Sequence, residues 1–161
     1  MKKITFSTLL LIMSLSVLAM AQDGGAVSSV LSVYKITLNE NGNEIATATE
    51  EVTPGDLIEY RVTYTNNDVG PITELQPMLP IPTGMEYVKD SARPANITAS
   101  VSSTGTDFQS LPLTRQVRLP DGTVVTQEVA ASEYRRLRWL IESLDVGESV
   151  FLVARVKVID K

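Results

Sequence analysis

The chain has 161 residues and a formal net charge of −5, and it contains neither cysteine nor histidine. These absences exclude disulfides, Ser-His-Asp and Cys-His catalysis, and zinc sites that use histidine. An acidic chain also lacks the basic surface that neutralises phosphates, so neither nucleic acid nor anionic lipid is an expected partner. The length suits one domain with a core of its own.

Residues 1–21 have the pattern of a signal peptide. Two lysines precede an apolar run over residues 4–18, and Ala19-Met20-Ala21 fits the small-x-small cleavage pattern. The run is short for a membrane span, which needs about 20 apolar residues. Cleavage after Ala21 leaves 140 residues with a charge of −7, because both lysines are lost. We therefore predict an exported protein (periplasmic, surface-bound or extracellular) with a flexible leader at 22–26 and no membrane span in the mature chain.

The segment 53–67 has the clearest strand pattern. Pro54-Gly55-Asp56 predicts a turn, and apolar and polar side chains then alternate along the chain. A period of two, rich in β-branched and aromatic residues, predicts a strand with one buried face and one solvent face. The buried face would carry Ile58, Tyr60, Val62 and Tyr64, and the solvent face Glu59, Arg61, Thr63 and Thr65.

Similar patterns predict short strands along the rest of the chain, with turns about every 8–12 residues. The predicted strands are 27–38, 44–51, 71–78, 85–88, 97–101, 115–118, 123–129, 134–141 and 150–158. Pro80 and Pro82 place their segment at a sheet edge or a bend, because proline lacks a ladder donor. Leu119-Pro120-Asp121-Gly122 predicts a hairpin turn. A helix is the competing interpretation at 134–141. No long helical pattern occurs, so we predict an all-β antiparallel sandwich.

Three motifs follow one another along the chain. They are Pro54-Gly55-Asp56-Leu57-Ile58-Glu59-Tyr60 with Val62-Thr63-Tyr64-Thr65-Asn66; Leu79-Pro80 with Thr83-Gly84-Met85 and Tyr87-Val88; and Trp139 with Leu144, Gly147 and Glu148. Together they resemble the signature of domain-of-unknown-function-eleven, a family of repeats in bacterial surface proteins, over residues 27–158. The resemblance implies an immunoglobulin-like β-sandwich of the bacterial envelope, without catalytic residues.

Two features depart from the family pattern. Pro77-Met78 stands where family members often have Asp before the Leu-Pro pair, and residues 95–133 form a longer segment with its own hairpin. We predict a single immunoglobulin-like domain over 27–161 with an insertion at about 95–133. Individual function could lie in that insertion, because binding residues concentrate on loops held by a rigid scaffold.

Arg135, Arg136 and Arg138 form the only basic cluster in the sequence. Guanidinium groups bind carboxylates and phosphates bidentately, so the cluster is a candidate contact for either group. The alternative is the solvent face of a strand, with the arginines paired to Glu and Asp across the sheet.

Aspartates are the candidates for a metal site. Asp56, Asp68, Asp90, Asp107, Asp121 and Asp145 lie in or near predicted turns. Calcium takes roughly six to eight oxygen ligands, often from loops. However, Asp is a common turn residue, and no Asp-x-Asp-x-Asp spacing occurs. We predict no catalytic residue, no cofactor and no metal site.

The leading functional hypothesis is a non-enzymatic envelope or secreted domain that presents a sandwich surface to a partner. The alternative is a carbohydrate- or ligand-binding module, which would need exposed aromatic residues in a cleft. Its candidates are Phe108, Tyr34, Tyr134 and Phe151. The expected partner is an envelope protein or a glycan, and a hydrolase is the weakest hypothesis because His and Cys are absent.

Trp139 and the terminal strands complete the predictions. Trp139 is expected at the centre of the core beside Leu137 and Ile141, the alternative being an exposed ligand-site residue.

A monomer is favoured over a homo-oligomer. Any assembly is expected to use strand addition or face packing at 27–33 or at the last strand, near Phe151. The sequence ends directly after that strand, so attachment to the envelope is expected to be non-covalent.

Overall fold

The computed structural model describes residues 25–159, and these form strands and one short 3-10 helical turn, Ala131–Glu133. The predicted signal peptide, residues 22–24 of the leader and the last two residues lie outside that range. The strands are β1 Val27–Leu38, β2 Glu44–Ala48, β3 Leu57–Asn66, β4 Ile72–Leu75, β5 Met78–Pro80, β6 Met85–Tyr87, β7 Ile97–Ser100, β8 Gln109–Ser110, β9 Thr114–Arg118, β10 Val124–Glu128, β11 Arg136–Trp139, β12 Ile141–Leu144 and β13 Ser149–Val158.

Two larger antiparallel sheets pack face to face. One has the order β2-β1-β3-β13-β6 and the other β5-β11-β7-β8, while β4 pairs with β12 and β9 with β10. The core between them includes Ile58, Leu152 and Val156 from the five-stranded sheet and Leu79, Ala99, Leu137 and Trp139 from the four-stranded sheet. The predicted all-β antiparallel sandwich is therefore confirmed, and the segment 134–141 is extended rather than helical.

Strand β3 is an extended strand, as its alternating pattern predicts, and it lies at the centre of the five-stranded sheet. It pairs with β1 along one edge and with β13 along the other. Ile58 is fully buried between the sheets. The prediction of a solvent face is wrong at Glu59, which is only 5% exposed. Arginines on β3 and β13 cover its carboxylate, as described below.

The turn before β3 closes onto the last strand. Gly55 has φ of +90°, a left-handed conformation that glycine adopts without steric cost, and its N–H donates to Val158 O at 2.8 Å. Asp56 accepts hydrogen bonds from the Thr53 N–H and hydroxyl, and it pairs with Lys35 at 2.7 Å. The Lys35 ammonium, followed by the Thr53 donors, holds the pKa of Asp56 below its usual value.

The other end of β3 is anchored by the buried side chain of Asn66. Its Nδ2 donates to Gly70 O at 2.9 Å and to Leu144 O at 2.8 Å, while its Oδ1 accepts from Asp68 N at 2.8 Å. Its backbone N–H donates to Glu148 O. The side chain of Asn66 thus joins the end of β3 to the turn after it and to the end of β12. Its backbone joins the same point to the turn before β13.

The proline-rich segment and the predicted hairpin lie where the sequence places them. Pro80 is in β5, an edge strand of the four-stranded sheet, and Leu119-Pro120-Asp121-Gly122 connects β9 to β10. The segment 95–133 is integrated into the fold. It supplies β7 to the four-stranded sheet, and it places Leu113, Val129 and Ala131 in the common core. The pairing of β12 with β4 was not predicted.

Trp139 lies in the core, as predicted. It is 2% exposed, and its indole Nε1 donates to Pro94 O at 3.0 Å. The carbonyl satisfies the single polar atom of the ring, so the rest of the indole can be buried without an unpaired donor. The alternative of an exposed tryptophan in a ligand site is wrong.

Replacement of Trp139 by alanine is expected to lower the free energy of unfolding by about 3–5 kcal/mol, because it leaves a cavity between the sheets. Urea denaturation followed by far-UV circular dichroism measures this loss, since the variant has no tryptophan fluorescence. Phe151→Ala is the control, because Phe151 is 54% exposed and its removal leaves no buried cavity. A Trp139→Ala midpoint equal to that of the control would contradict the core assignment.

Replacement of Asn66 by alanine is expected to cost about 2–3 kcal/mol, because Leu144 O, Gly70 O and Asp68 N lose their partner. Asn66→Asp keeps the shape but turns a carboxylate oxygen toward those carbonyls, so it is expected to cost at least as much at neutral pH. Asn67→Ala is the matched control, since Asn67 is exposed. The same urea titration measures all three variants, and similar midpoints for Asn66→Ala and Asn67→Ala would refute the anchoring role.

Candidate functional site

The outer face of the four-stranded sheet carries a basic group of side chains. Leu137 and Trp139 of β11 are buried in the core, so alternation places Arg136 and Arg138 on the opposite face. Phe108, just before β8, packs against both guanidinium groups. Their central carbons lie 4.9 Å (Arg136) and 4.1 Å (Arg138) from the centroid of its ring. We call Phe108, Arg136 and Arg138 the Arg–Phe cluster.

Neutral acceptors hold both guanidinium groups in place. Arg138 donates from Nε to Thr98 Oγ1 and from one terminal nitrogen to Gln76 Oε1, each at 3.2 Å. Arg136 donates to Ser102 O at 2.9 Å and also to Gly105 O. Within residues 25–159 neither arginine forms an ion pair. The positive charges of the cluster are therefore oriented, and no carboxylate of the described residues neutralises them.

A tight loop between β7 and β8 builds one side of the cluster. Ser102 Oγ accepts from Gly105 N at 2.7 Å. A Cβ atom at Gly105 would lie 2.7 Å from Asp107 Oδ1 and 2.9 Å from Ser102 Oγ, so any larger residue would have to displace these two side chains. The side chain of Asp107 accepts from Ser100 Oγ at 3.1 Å. The loop thus presents carbonyl oxygens to Arg136 and brings Phe108 over the sheet.

Arginines on the outer face of the five-stranded sheet are neutralised. Arg61 lies 4.3 Å from the ring centroid of Tyr34, but it also pairs with Glu59 at 2.6 Å. Arg155 pairs with Glu59 and with Glu44, each at 2.7 Å. Arg155 donates hydrogen bonds to the carboxylate of Glu44, and these bonds raise the pKa of Arg155 above its usual value and lower the pKa of Glu44. The stacking resembles that of the Arg–Phe cluster, but here each charge has a partner.

The three arginines of the sequence cluster do not form one site. Arg135 donates to Ser132 O at 2.7 Å and to Tyr134 O at 2.9 Å, separately from its two neighbours. The expected pairing with Glu and Asp across the sheet is wrong. The residues opposite Arg136 and Arg138 are Ser100, Pro80, Thr98 and Met78, which carry no charge. The reading of the cluster as a carboxylate or phosphate contact stays a hypothesis.

The four aromatic candidates for a ligand cleft lie in different places. Phe108 is covered by the arginines, and Tyr34 lies under Arg61. Tyr134 is buried, and its hydroxyl accepts from Leu113 N at 3.1 Å. Phe151 is exposed on the five-stranded sheet. The structure therefore does not bring these side chains together as an aromatic binding surface.

A cleft of about 270 Å³ lies beside the core tyrosines, and most of its polar groups are already paired. Tyr87 and Tyr134 stack there with ring centroids 6.1 Å apart, and Lys89 pairs with Glu128 in the same wall. The Tyr87 hydroxyl accepts from Ala92 N at 3.3 Å. Asp90 is the one charged residue of the lining whose side chain has no partner of opposite sign among residues 25–159. Its backbone carbonyl accepts a hydrogen bond from Arg93.

Three of the six candidate aspartates hold turns. Asp56, Asp68 and Asp121 accept backbone N–H groups of residues one to three positions away. In the described part of the chain no group of three or more acidic side chains converges in a way that could hold a metal ion. Over the same residues there is no helix of the length and hydrophobicity that crossing a membrane requires.

Comparison of the chain with models of protein families, with curated proteins and with solved structures finds no match.

Replacement of Glu59 by glutamine is expected to lower the free energy of unfolding by about 2–4 kcal/mol, because Arg61 and Arg155 are then left half-buried without their shared carboxylate. Glu44→Gln is the control, since it removes an exposed partner of Arg155 and is expected to cost much less. Urea denaturation at pH 7 compares the two.

The small effect of Glu44→Gln should also depend on pH. The folded-state pKa of Glu44 is lower than its usual 4.5, so its stabilisation is present above that value and is lost as the pH falls through the folded-state pKa. The difference from wild type should therefore be constant from pH 7 to about pH 5 and should disappear in stronger acid. Equal losses for both variants at pH 7 would contradict the central role of Glu59.

Proposed function

We propose that this protein is a non-enzymatic domain of the bacterial cell envelope or its surroundings, and that it binds an acidic protein partner through the Arg–Phe cluster. The observation that carries the proposal is the pair of guanidinium groups stacked on Phe108 without an ion-pair partner among residues 25–159. Carboxylates of the partner would supply the missing negative charge.

The geometry of the cluster suits recognition of carboxylates. Stacking on an aromatic ring leaves the edge of a guanidinium free for hydrogen bonds, and guanidinium groups suit carboxylates. In each arginine Nε and one terminal nitrogen already donate within the protein, so the remaining terminal N–H groups would contact the carboxylate of a partner. Thr98 and Gln76 fix the orientation of Arg138, so little side-chain entropy remains to be lost on binding. Met78, half exposed, is the cross-strand neighbour of Arg138 and would add apolar contact beside the charges.

The overall charge of the chain favours a specific site over diffuse attraction. The chain has 19 acidic and 14 basic residues, so an acidic partner is repelled by most of the surface. A local positive site then acts both as an attractive contact and as a selector of orientation.

The export and envelope parts of the proposal rest on the sequence. The signal-peptide pattern of residues 1–21 supports export. The three motifs that resemble the domain-of-unknown-function-eleven family support an envelope location and an immunoglobulin-like arrangement of the sandwich. An envelope glycan is the second candidate partner, and it differs in the chemistry that a capture experiment would recover.

Capture from envelope extract tests the proposal. The immobilised protein is expected to retain one acidic protein, identified by mass spectrometry. The double variant Arg136→Gln with Arg138→Gln should bind that protein at least about tenfold more weakly, a loss of about 1.4 kcal/mol or more. Arg138→Lys keeps the positive charge without the planar fork of the guanidinium, so its affinity should lie between those of the wild type and the double variant.

Arg118→Gln is the matched control, because it removes one positive charge at an exposed position of the hairpin. Urea midpoints show whether each variant remains folded. Loss of binding in Arg118→Gln equal to that in Arg138→Gln would indicate diffuse charge rather than the cluster. Recovery of a uronic-acid glycan instead of a protein would support the carbohydrate-binding alternative, and undiminished capture by the double variant would refute the site.

A further inference from the structure

The first half of β1 forms an open edge of the five-stranded sheet. β1 pairs with β3 from Val27 onward, but β2 pairs only with its second half, from Tyr34 to Leu38. The last contact on this side is Thr49 N donating to Val33 O at 3.2 Å. Within the residues that the structure describes, no strand lies beside positions 27–32 on that edge.

Among residues 25–159 no backbone group pairs with the open edge. Ala26 O accepts from Asn67 on the β3 side, whereas Val33 O faces the β2 side. Because successive residues of a strand direct their hydrogen-bonding groups to opposite edges, Val27, Ser29 and Leu31 direct their N–H and C=O groups to the open side. These groups form a template for another extended chain.

The usual protection of an edge strand is absent here. No charged residue and no proline occurs from Val27 to Tyr34. Val30 is 55% exposed on one face of the strand, and Leu31 is 38% exposed on the other. Edges that remain solitary commonly carry inward or flanking charges, prolines or bulges. This edge has the composition of a strand that is covered.

We propose that a second copy of this chain covers the edge by antiparallel pairing of β1 with β1 about a two-fold axis at Ser29. In this register Ser29 opposes Ser29 of the second copy, and Val27 opposes Leu31 of the second copy. Val27, Ser29 and Leu31 all direct their backbone groups to the interface. The apolar side chains of Val27 and Leu31 oppose each other on the face of the sheet that packs against the core. The segment is therefore self-complementary, as a two-fold interface requires.

The surroundings leave room for the second strand. Where the chain departs after Ala48, a groove of about 460 Å³ continues the line of β2, and Leu31, Val33 and Thr49 are among its lining residues. Ala26 of the second copy would lie opposite Ser32 at the mouth of this groove, and the added strand ends there because Thr49 already occupies the position opposite Val33. A contact built on one strand is at the small end of interface areas, below about 1,200 Å², so the dimer is expected to be reversible at micromolar concentrations.

Cysteine cross-linking tests the register, because the chain contains no cysteine of its own. Cα atoms of a directly opposed hydrogen-bonded pair lie about 5.5 Å apart, within the disulfide range of about 4.4–6.8 Å. Mild oxidation of Ser29→Cys, in the protein beginning at Gln22, is expected to link most of the protein into dimers. Ser28→Cys is the matched control. Position 28 opposes position 30 of the second copy, so we expect at least about fivefold less cross-linking there.

Sedimentation of the uncross-linked protein tests the dimer itself. Wild type is expected to pass from monomer to dimer over the micromolar range. Ser29→Pro removes an N–H that faces the open edge and leaves the ladder with β3 intact, so it should weaken the dimer at least about tenfold. The unfolding midpoint of Ser29→Pro shows whether this variant keeps its fold. If it does not, Ser29→Lys takes its place, because it sets two like charges opposite each other in the dimer.

Three outcomes would overturn the proposal: a monomer at all concentrations, a dimer unaffected by these variants, or equal cross-linking at positions 28 and 29. The dimer is independent of the proposed partner site. Arg138→Gln should therefore leave dimerisation unchanged whether or not it abolishes partner capture.

Discussion

The structure depends on β3 being paired along both edges and anchored at its end by the buried amide of Asn66. An amide buried without partners is costly, and this one is satisfied only when Gly70 O, Leu144 O and Asp68 N are all in place. A shift of register by one residue would turn Asn66 to the other face and leave these groups unpaired. The anchor therefore selects one alignment of the central strands. It also places the end of the first sequence motif against the third.

The two sheets use arginine differently, although the local stacking is alike. On the five-stranded sheet the carboxylate of Glu59 lies between Arg61 and Arg155 and pairs with both. The positive charges on this face are therefore neutralised within the protein. On the four-stranded sheet the hydrogen bonds of Arg138 go to a hydroxyl and an amide. Such bonds fix a guanidinium without lowering its attraction for an anion. The first arrangement is typical of a structural ion-pair network, and the second suits a binding surface.

The sequence predicts those features that depend on local periodicity or turn chemistry. Alternation identifies β3 and β13 and places Trp139 in the core, and the prolines and the Pro-Asp-Gly turn locate an edge and a hairpin. Prediction from the sequence fails where a residue contacts another residue that lies far along the chain. Glu59 is buried because Arg155, on another strand, covers it, and Phe108 reaches Arg138 only because β7 and β8 fold back beside β11. Neither contact has a signature within a window of sequence, since each depends on the order of strands in a sheet.

The two proposed surfaces lie on different sheets, and this separation has a consequence for affinity. The Arg–Phe cluster is on the four-stranded sheet, whereas the open edge belongs to β1 of the five-stranded sheet. Pairing through β1 therefore leaves both clusters accessible. A contact centred on two arginines is small, so its affinity for one acidic site is modest. Two clusters held in one dimer would bind a partner with repeated acidic sites far more tightly, because the second contact forms at the effective concentration that the dimer sets. Weak self-association would in this way raise the affinity of a small charged site without any new contact in that site.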